Sequence, residues 1–200
     1  MQATPELDRL CAALTARSEP SSDHDLNPDV VLPAGRVLRP AGVLVPVIEV
    51  DGRLELYLTR RSSMLKHHPG QIAFPGGKVD PGDDGPKGAA LREAHEEIGL
   101  DPANVEILGY LPSHETVTSF TMTPVVGRVR SEFVPRPEPG EVAEVFRVPL
   151  SHVTDPARYS VQHRRWRGAR RYYYTAPFGP YYIWGATARI LRGLADRMAE

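Results

Sequence analysis

Apolar and polar positions recur along this chain with two different periods, and the switches between them divide it into helices and strands. In residues 5–17, Leu7, Leu10, Cys11 and Leu14 return at helical spacing, which predicts an amphipathic helix. Residues 18–40 lose the period and are rich in Ser, Asp and Pro, which predicts a long connection or arm. Residues 41–50 read as a strand, in which Pro46 argues for a sheet edge or a bulge. Asp51 and Gly52 then predict a tight turn into a strand over 54–59, and a short strand follows at 72–74. Residues 89–98 hold no Pro or Gly, are rich in Ala, Leu and Glu, and meet a stop at Gly99, so a helix is predicted there.

Beyond it, residues 105–112, 121–129 and 142–148 read as strands. The polar piece 113–120 is expected near the functional site, 135–140 is a proline-rich loop, and a short turn is expected near 150–153. Residues 159–165 and 170–175 predict a hairpin around Gly168, and a helix over 184–198 ends the pattern. Strands divided by one long central helix and a terminal one predict an α/β chain with a mixed sheet between helices. The expected division is a helix and arm over 1–40 that packs on a domain over 41–200.

Composition adds bounds. With 200 residues, 41% of them hydrophobic, the chain can bury one full core. A formal net charge of −1 supplies no overall field for nucleic acid or membrane, so any attraction for an anion must be local. Cys11 is the single cysteine, which excludes an internal disulfide framework and fits a reducing compartment. Acidic residues by position 6 and no long apolar run lead us to expect no signal peptide, no transmembrane helix and a cytoplasmic protein.

Chemistry concentrates between residues 74 and 100. At about 100° per residue, Ala90, Leu91, Ala94 and Ile98 share one arc of the predicted helix, while Glu93, Glu96 and Glu97 share another. Three like charges on one arc repel unless solvated or bridged by a cation, and a hard divalent ion prefers such oxygens together with substrate phosphates. Ahead of the helix, Gly76 and Gly77 follow Pro75, and a run from Asp80 to Pro86 is too rich in breakers for a regular element. Such a loop lets backbone approach an anion closely.

Loop and helix together resemble the Nudix box, G-x5-E-x7-R-E-U-x-E-E-x-G-U with U aliphatic. Gly77 matches the first Gly, Arg92 and Glu93 the RE pair, Ala94 the first U, Glu96 and Glu97 the EE pair, and Gly99 and Leu100 the close. The loop departs from the pattern: Asp83 stands where Glu is expected, and eight residues rather than seven separate it from Arg92. This variant is similar to the coenzyme A pyrophosphatase branch of the Nudix hydrolases. The preceding stretch, LYLTRRSSMLKHHPGQIAFPGG from Leu56, also resembles that branch's additional signature.

The resemblance implies an α/β/α sandwich with a catalytic loop-helix, and hydrolysis of a diphosphate linkage with Mg²⁺ or Mn²⁺ as cofactor. The implied products from coenzyme A are 3′,5′-ADP and 4′-phosphopantetheine; the alternative substrate is another nucleoside diphosphate derivative such as ADP-ribose or a dinucleotide. A non-catalytic Nudix sensor or RNA-binding module would usually have a broken Glu set. Glu93, Glu96, Glu97 and the carbonyl of Gly77 are the implied metal-binding groups. Asp83, or Asp84 in its place, would brace the loop on Arg92. Glu141 and Glu144 resemble the acids many Nudix enzymes hold opposite the helix, as a general base or an added ligand, with Glu93 as the rival base and ordinary strand-end carboxylates as the plain alternative. Arg60, Arg61, Lys66, His67 and His68, with Gly76 and Gly77, are candidates for the substrate phosphates or the 3′-phosphate of coenzyme A, with a solvated basic strand end as the plain alternative for at least two of the five. Arg164, Arg165, Arg167, Arg170 and Arg171 form the most basic run and are expected on a solvated hairpin, with steering of an anionic substrate as the alternative. A small-molecule partner is expected, without nucleic acid or membrane, in a monomer or homodimer.

Overall fold

The computed structural model describes residues 4–166 and 168–199; Arg167, one of the basic run, lies outside them. Two strands lie at the centre, β2 (Arg39–Val50) and β8 (Phe120–Val129), paired in parallel from Arg39–Phe120 to Ile48–Val129. Around them the main sheet runs β1 (Ser21–Ser22), β7 (His114–Glu115), β8, β2, β3 (Arg53–Arg61) and β4 (Ile72–Ala73). Off this path, β5 (Gly76–Lys78) pairs with β2, β6 (Val105–Tyr110) with β8, and β9 (Val142–Pro149) with β3. A separate hairpin joins β10 (Ser160–Trp166) to β11 (Ala169–Thr175). The turn between β2 and β3 has Asp51 and Gly52 both at positive φ, 49° and 74°, the twist a two-residue hairpin needs.

Strand alternation sends β2 side chains to both faces, and each face is covered by helices. Val43, Val45 and Val47 share a core with Leu7 and Leu10 of α1 (Pro5–Thr15) and with Leu191 and Leu194 of α4 (Gly185–Ala199). Leu44 and Ile48 share the opposite core with Ala90, Ala94 and Ile98 of α2 (Gly85–Ile98). The result is a mixed sheet between helices, with the apolar arc of α2 on the sheet as its periodicity predicts. A fourth helix, α3 (Leu150–Val153), is one turn long. No helix among the described residues is long and apolar enough to cross a membrane.

Two local expectations are corrected. Pro46 lies in a central strand, not at an edge. The antiparallel ladders on that flank of β2 cover 47–50 with β3 and 41–43 with β5, and the residue lacking an N–H falls in the gap between them. Helix α2 starts at Gly85 rather than at residue 89, because Pro86 falls in the first turn, where its missing N–H costs no intrahelical bond.

Candidate active site

The glycine loop approaches α2 more closely than any side chain would allow. A Cβ placed on Gly77 would lie 2.3 Å from Oε1 of Glu93, and one on Gly76, whose φ is 154°, would lie 2.5 Å from the carbonyl oxygen of Gly42. The Gly76 N–H therefore reaches the Glu97 carboxylate, donating to Oε2 at 3.1 Å. Helix α2 is closed by Gly99 at φ 71°, with its N–H on the His95 carbonyl and that of Leu100 on Ala94.

Arg92 ties loop to helix. Its Nε and Nη2 donate to the two Asp83 oxygens at 3.0 and 3.1 Å, and Nη1 donates to Glu93 at 2.9 Å and Glu96 at 3.1 Å. Asp83 also accepts from the Asp80 N–H at 2.8 Å. The Arg92 hydrogen bond holds the Asp83 carboxyl below the usual carboxylate range, and Arg92 is held more firmly protonated in return. Asp84 instead pairs with Lys87.

A third carboxylate arrives from the far side of the fold. The N–H groups of Arg136 and Glu138 donate to the Ile98 and Glu97 carbonyls, both at 2.9 Å, so the loop before β9 is pinned to the C-terminal end of α2. Glu141 follows directly, its carbonyl accepting from Ser62 N–H at 2.8 Å. One carboxylate oxygen from each of Glu93, Glu97 and Glu141 then lies within 4.8 Å of the others. Glu97 is only 4% exposed; burial above all, with Glu93 and Glu141 adding to it, pushes its carboxyl up to about 8. Burial also raises Glu93, against the pull of Arg92. Three hard oxygen donors, one of them buried and disfavoured as an anion, suit a divalent cation.

Several candidates fall elsewhere. Glu96 is bonded to Arg92 and lies outside the three-carboxylate cluster. Residues four apart on a helix differ by about 40°, whereas Glu96 is turned about 60° from Glu93 to the other side. Glu144 is also outside the cluster: its carboxylate accepts from Tyr181 Oη at 2.7 Å and pairs with Arg60 at 3.0 Å, because β9 sets it opposite Arg60 of β3. Arg60 and Glu144 share a neighbouring recess of about 640 Å³. Lys66 is exposed and lines neither cavity.

The cluster opens into a cleft of about 430 Å³. Arg61, His68, Gln71, Phe74, Gly76 and Gly77 line it. It is also lined by residues that the sequence placed on a solvated hairpin, a terminal helix or an arm of no stated role. Ser22, Asp23 and Leu26 come from the arm, Arg164 and Arg171 from the β10–β11 hairpin, and Trp184 to Thr187 from the start of α4. The polar stretch 113–120 is also here, through Thr116 to Thr118 and Phe120. The arm's Ser, Asp and Asn content was a signal, since such residues anchor a loop by side-chain bonds to backbone.

A helix and glycine loop that present clustered acids to a cleft, on a mixed sheet between helices, suit a hydrolase that works on an anionic substrate through a divalent cation. The NUDIX domain family model matches residues 38–169. A relative from Enterobacter sp. (strain 638), described as an uncharacterized Nudix hydrolase NudL, is 40% identical over 183 residues, covering 86% of this chain and 95% of the relative. One from Citrobacter koseri with the same description is 43% identical over 157 residues, covering 78% and 81%. The chain belongs to the Nudix hydrolase family, whose members generally use divalent metal ions. Among solved structures, the fold resembles the MutT protein of Methanosarcina mazei Go1 at TM-score 0.52 and 20% identity, over 84% of this chain and 96% of that one. It also resembles a MutT/nudix family protein of Enterococcus faecalis at TM-score 0.53 and 15% identity, over 100% and 76%.

Proposed function

We propose that this chain is a coenzyme A diphosphatase that splits the diphosphate of coenzyme A, or of a derivative, into 3′,5′-ADP and 4′-phosphopantetheine or its acyl form. The observation that carries this reading is the position of the GQIAFPGG stretch. Gln71, Ala73, Phe74, Gly76 and Gly77, from the signature resembling the coenzyme A branch, line the cleft beside the clustered carboxylates. Glu93 and Glu97 are assigned as Mg²⁺ or Mn²⁺ ligands, with Gly77 beside them and Glu96 in reserve on the outer flank. A divalent cation bound there neutralises charge on the diphosphate. Arg61 reaches the same space and suits a phosphate oxygen through its fork. Glu141, the exposed member of the cluster, takes the proton from water as its oxygen attacks phosphorus and the bridging P–O bond breaks. Asp83 and Arg92 keep the loop on the helix. We place the reaction in the cytoplasm, with the single Cys11 in support.

Pure protein with Mg²⁺ is to be incubated with coenzyme A, ADP-ribose and a capped RNA, and the products identified by mass. Coenzyme A is expected to be cleaved fastest, and faster cleavage of ADP-ribose would transfer the assignment to that substrate class.

The metal assignment also predicts a pH dependence. A carboxyl raised from 4.5 to about 8 binds a proton in the native state that the unfolded chain releases. Without metal, its stabilising contribution is full below 4.5 and is lost as pH rises toward 8. A cation favours the ionised form and reverses the trend. Saturating Mg²⁺ is therefore expected to raise the Tm more at pH 8 than at pH 5.5, with affinity tightening by up to about tenfold per pH unit for one displaced proton. A metal-induced shift of equal size at both pH values would contradict it.

A further inference from the structure

We infer that the β10–β11 hairpin carries a second anion site in the cleft, which takes a phosphomonoester on the nucleoside half of the substrate; this deepens the function proposed above and rests on it. Arg164 and Arg171 stand directly opposite each other in the hairpin register, and both face the cleft. The guanidinium carbon of Arg164 lies 4.6 Å over the Trp184 ring. A guanidinium held over an aromatic face can still present its N–H fork to two oxygens of one phosphate.

The partner arginine is set by the arm. Nη2 of Arg171 donates to the Asp23 carbonyl at 3.4 Å, and Asn27 clamps the next residue, donating to the Tyr172 carbonyl at 2.9 Å and accepting from its N–H at 2.8 Å. Asp25 holds α4 through Arg189, with Nε and Nη2 of the arginine each 2.8 Å from one Asp25 oxygen. The Asp23 carboxylate is itself engaged, by His114 Nε2 at 3.2 Å and the Val117 N–H at 3.0 Å.

Positive charge is crowded in this cleft. Arg61 and His68 line it too, and after burial the nearness of Arg61 and Arg164 is what makes His68 harder to protonate. Among the described residues, no ion pair joins Arg61 or Arg164 to a carboxylate. The cleft thus holds two sets of charged groups, the Glu93, Glu97 and Glu141 cluster and the arginines Arg61, Arg164 and Arg171. It fits a substrate whose diphosphate meets the first through a cation and whose separate phosphate meets the second. Arg164 lies within residues 38–169, whereas Arg171, Trp184 and the Asp23 to Asn27 part of the arm lie outside them, so the parts that set the site are additions to the shared hydrolytic apparatus and suited to selecting a substrate.

The test is calorimetric titration of the full chain in Mg²⁺ with adenosine 3′,5′-bisphosphate and with adenosine 5′-monophosphate. The bisphosphate is expected to bind at least about tenfold more tightly, as one bidentate charged contact allows. Arg164→Gln, at an exposed position, is expected to bring the two affinities together, and Arg164→Lys, which keeps the charge without the fork, to leave an intermediate ratio. Equal affinities in the parent protein, or a preference that survives Arg164→Gln, would overturn the site. A preference in a protein that does not cleave coenzyme A would leave the site standing and remove the proposed function. Cleavage of coenzyme A without the preference would do the reverse.

Discussion

Replacing Glu97 with Gln is expected to lower diphosphate hydrolysis by at least about 10²- to 10³-fold, the scale of losing one preorganised electrostatic contact to a reacting centre. Glu97 sits at the point where α2, the glycine loop and the Glu141 loop converge. Gln has nearly the same volume, and its carbonyl oxygen can still accept from the Gly76 N–H, which now lies 3.1 Å from the carboxylate. What the change removes is the negative charge. Burial already disfavours that charge, holding the carboxyl near 8, so its loss removes a cost to folding above neutral pH while weakening the hold on a cation. The variant should therefore be as stable as the parent in EDTA at pH 8, or more stable, and should gain much less in Tm from Mg²⁺. Turnover within tenfold of the parent would mean that Glu97 is not a metal ligand. A loss of turnover accompanied by a lower Tm in EDTA would mean that its role is packing.

The contrast between Glu97 and Glu96 shows what could be seen from the chain alone. Both acids were visible as part of one charged arc, and α2 was visible as a helix because Ala90, Ala94 and Ile98 recur at its period. Periodicity limits which face a side chain takes to within about 100°, too coarse to separate a buried member of a carboxylate cluster from one turned outward onto Arg92. Strands β2, β3, β8 and β9 were legible for the same reason as the helix: their alternation is dictated by burial of one or both faces. Glu141 could be named a candidate but not placed. Its position follows from two backbone hydrogen bonds between the 136–138 segment and the end of α2, about forty residues away in sequence, and no local pattern records them. The arm's composition marked it as anchored, but where it was anchored was illegible in a different way. Its side chains bond to β7, β11 and α4, so its path is written in the partners rather than in itself.

Gly42→Ala is expected to be the most damaging single methyl group in the protein. Gly42 lies where β2 passes under the first turns of α2, opposite Gly77 of β5 and Thr123 of β8. A Cβ there would be 1.8 Å from the Pro86 carbonyl oxygen, 2.7 Å from its carbon and 3.0 Å from the Ala90 nitrogen. All three are backbone atoms of a helix, so no rotamer change relieves the clash and α2 as a whole must retreat from the sheet. Overpacking of this kind costs about 3 kcal/mol or more, roughly 10 °C in Tm for a domain of this size. Retreat would also carry Glu93 and Glu97 away from Gly76 and Gly77, so the Mg²⁺-induced rise in Tm should shrink even in the fraction that stays folded. Gly193→Ala is the matched control. It lies within α4 with only the Arg189 side chain near the added carbon, at 3.7 Å, and removing a helical glycine there should stabilise by about 0.5–1 kcal/mol. If Gly42→Ala melts with the parent and responds equally to Mg²⁺, then α2 does not rest on β2 at this distance, and the close approach that brings the loop to the carboxylates is not what assembles the site.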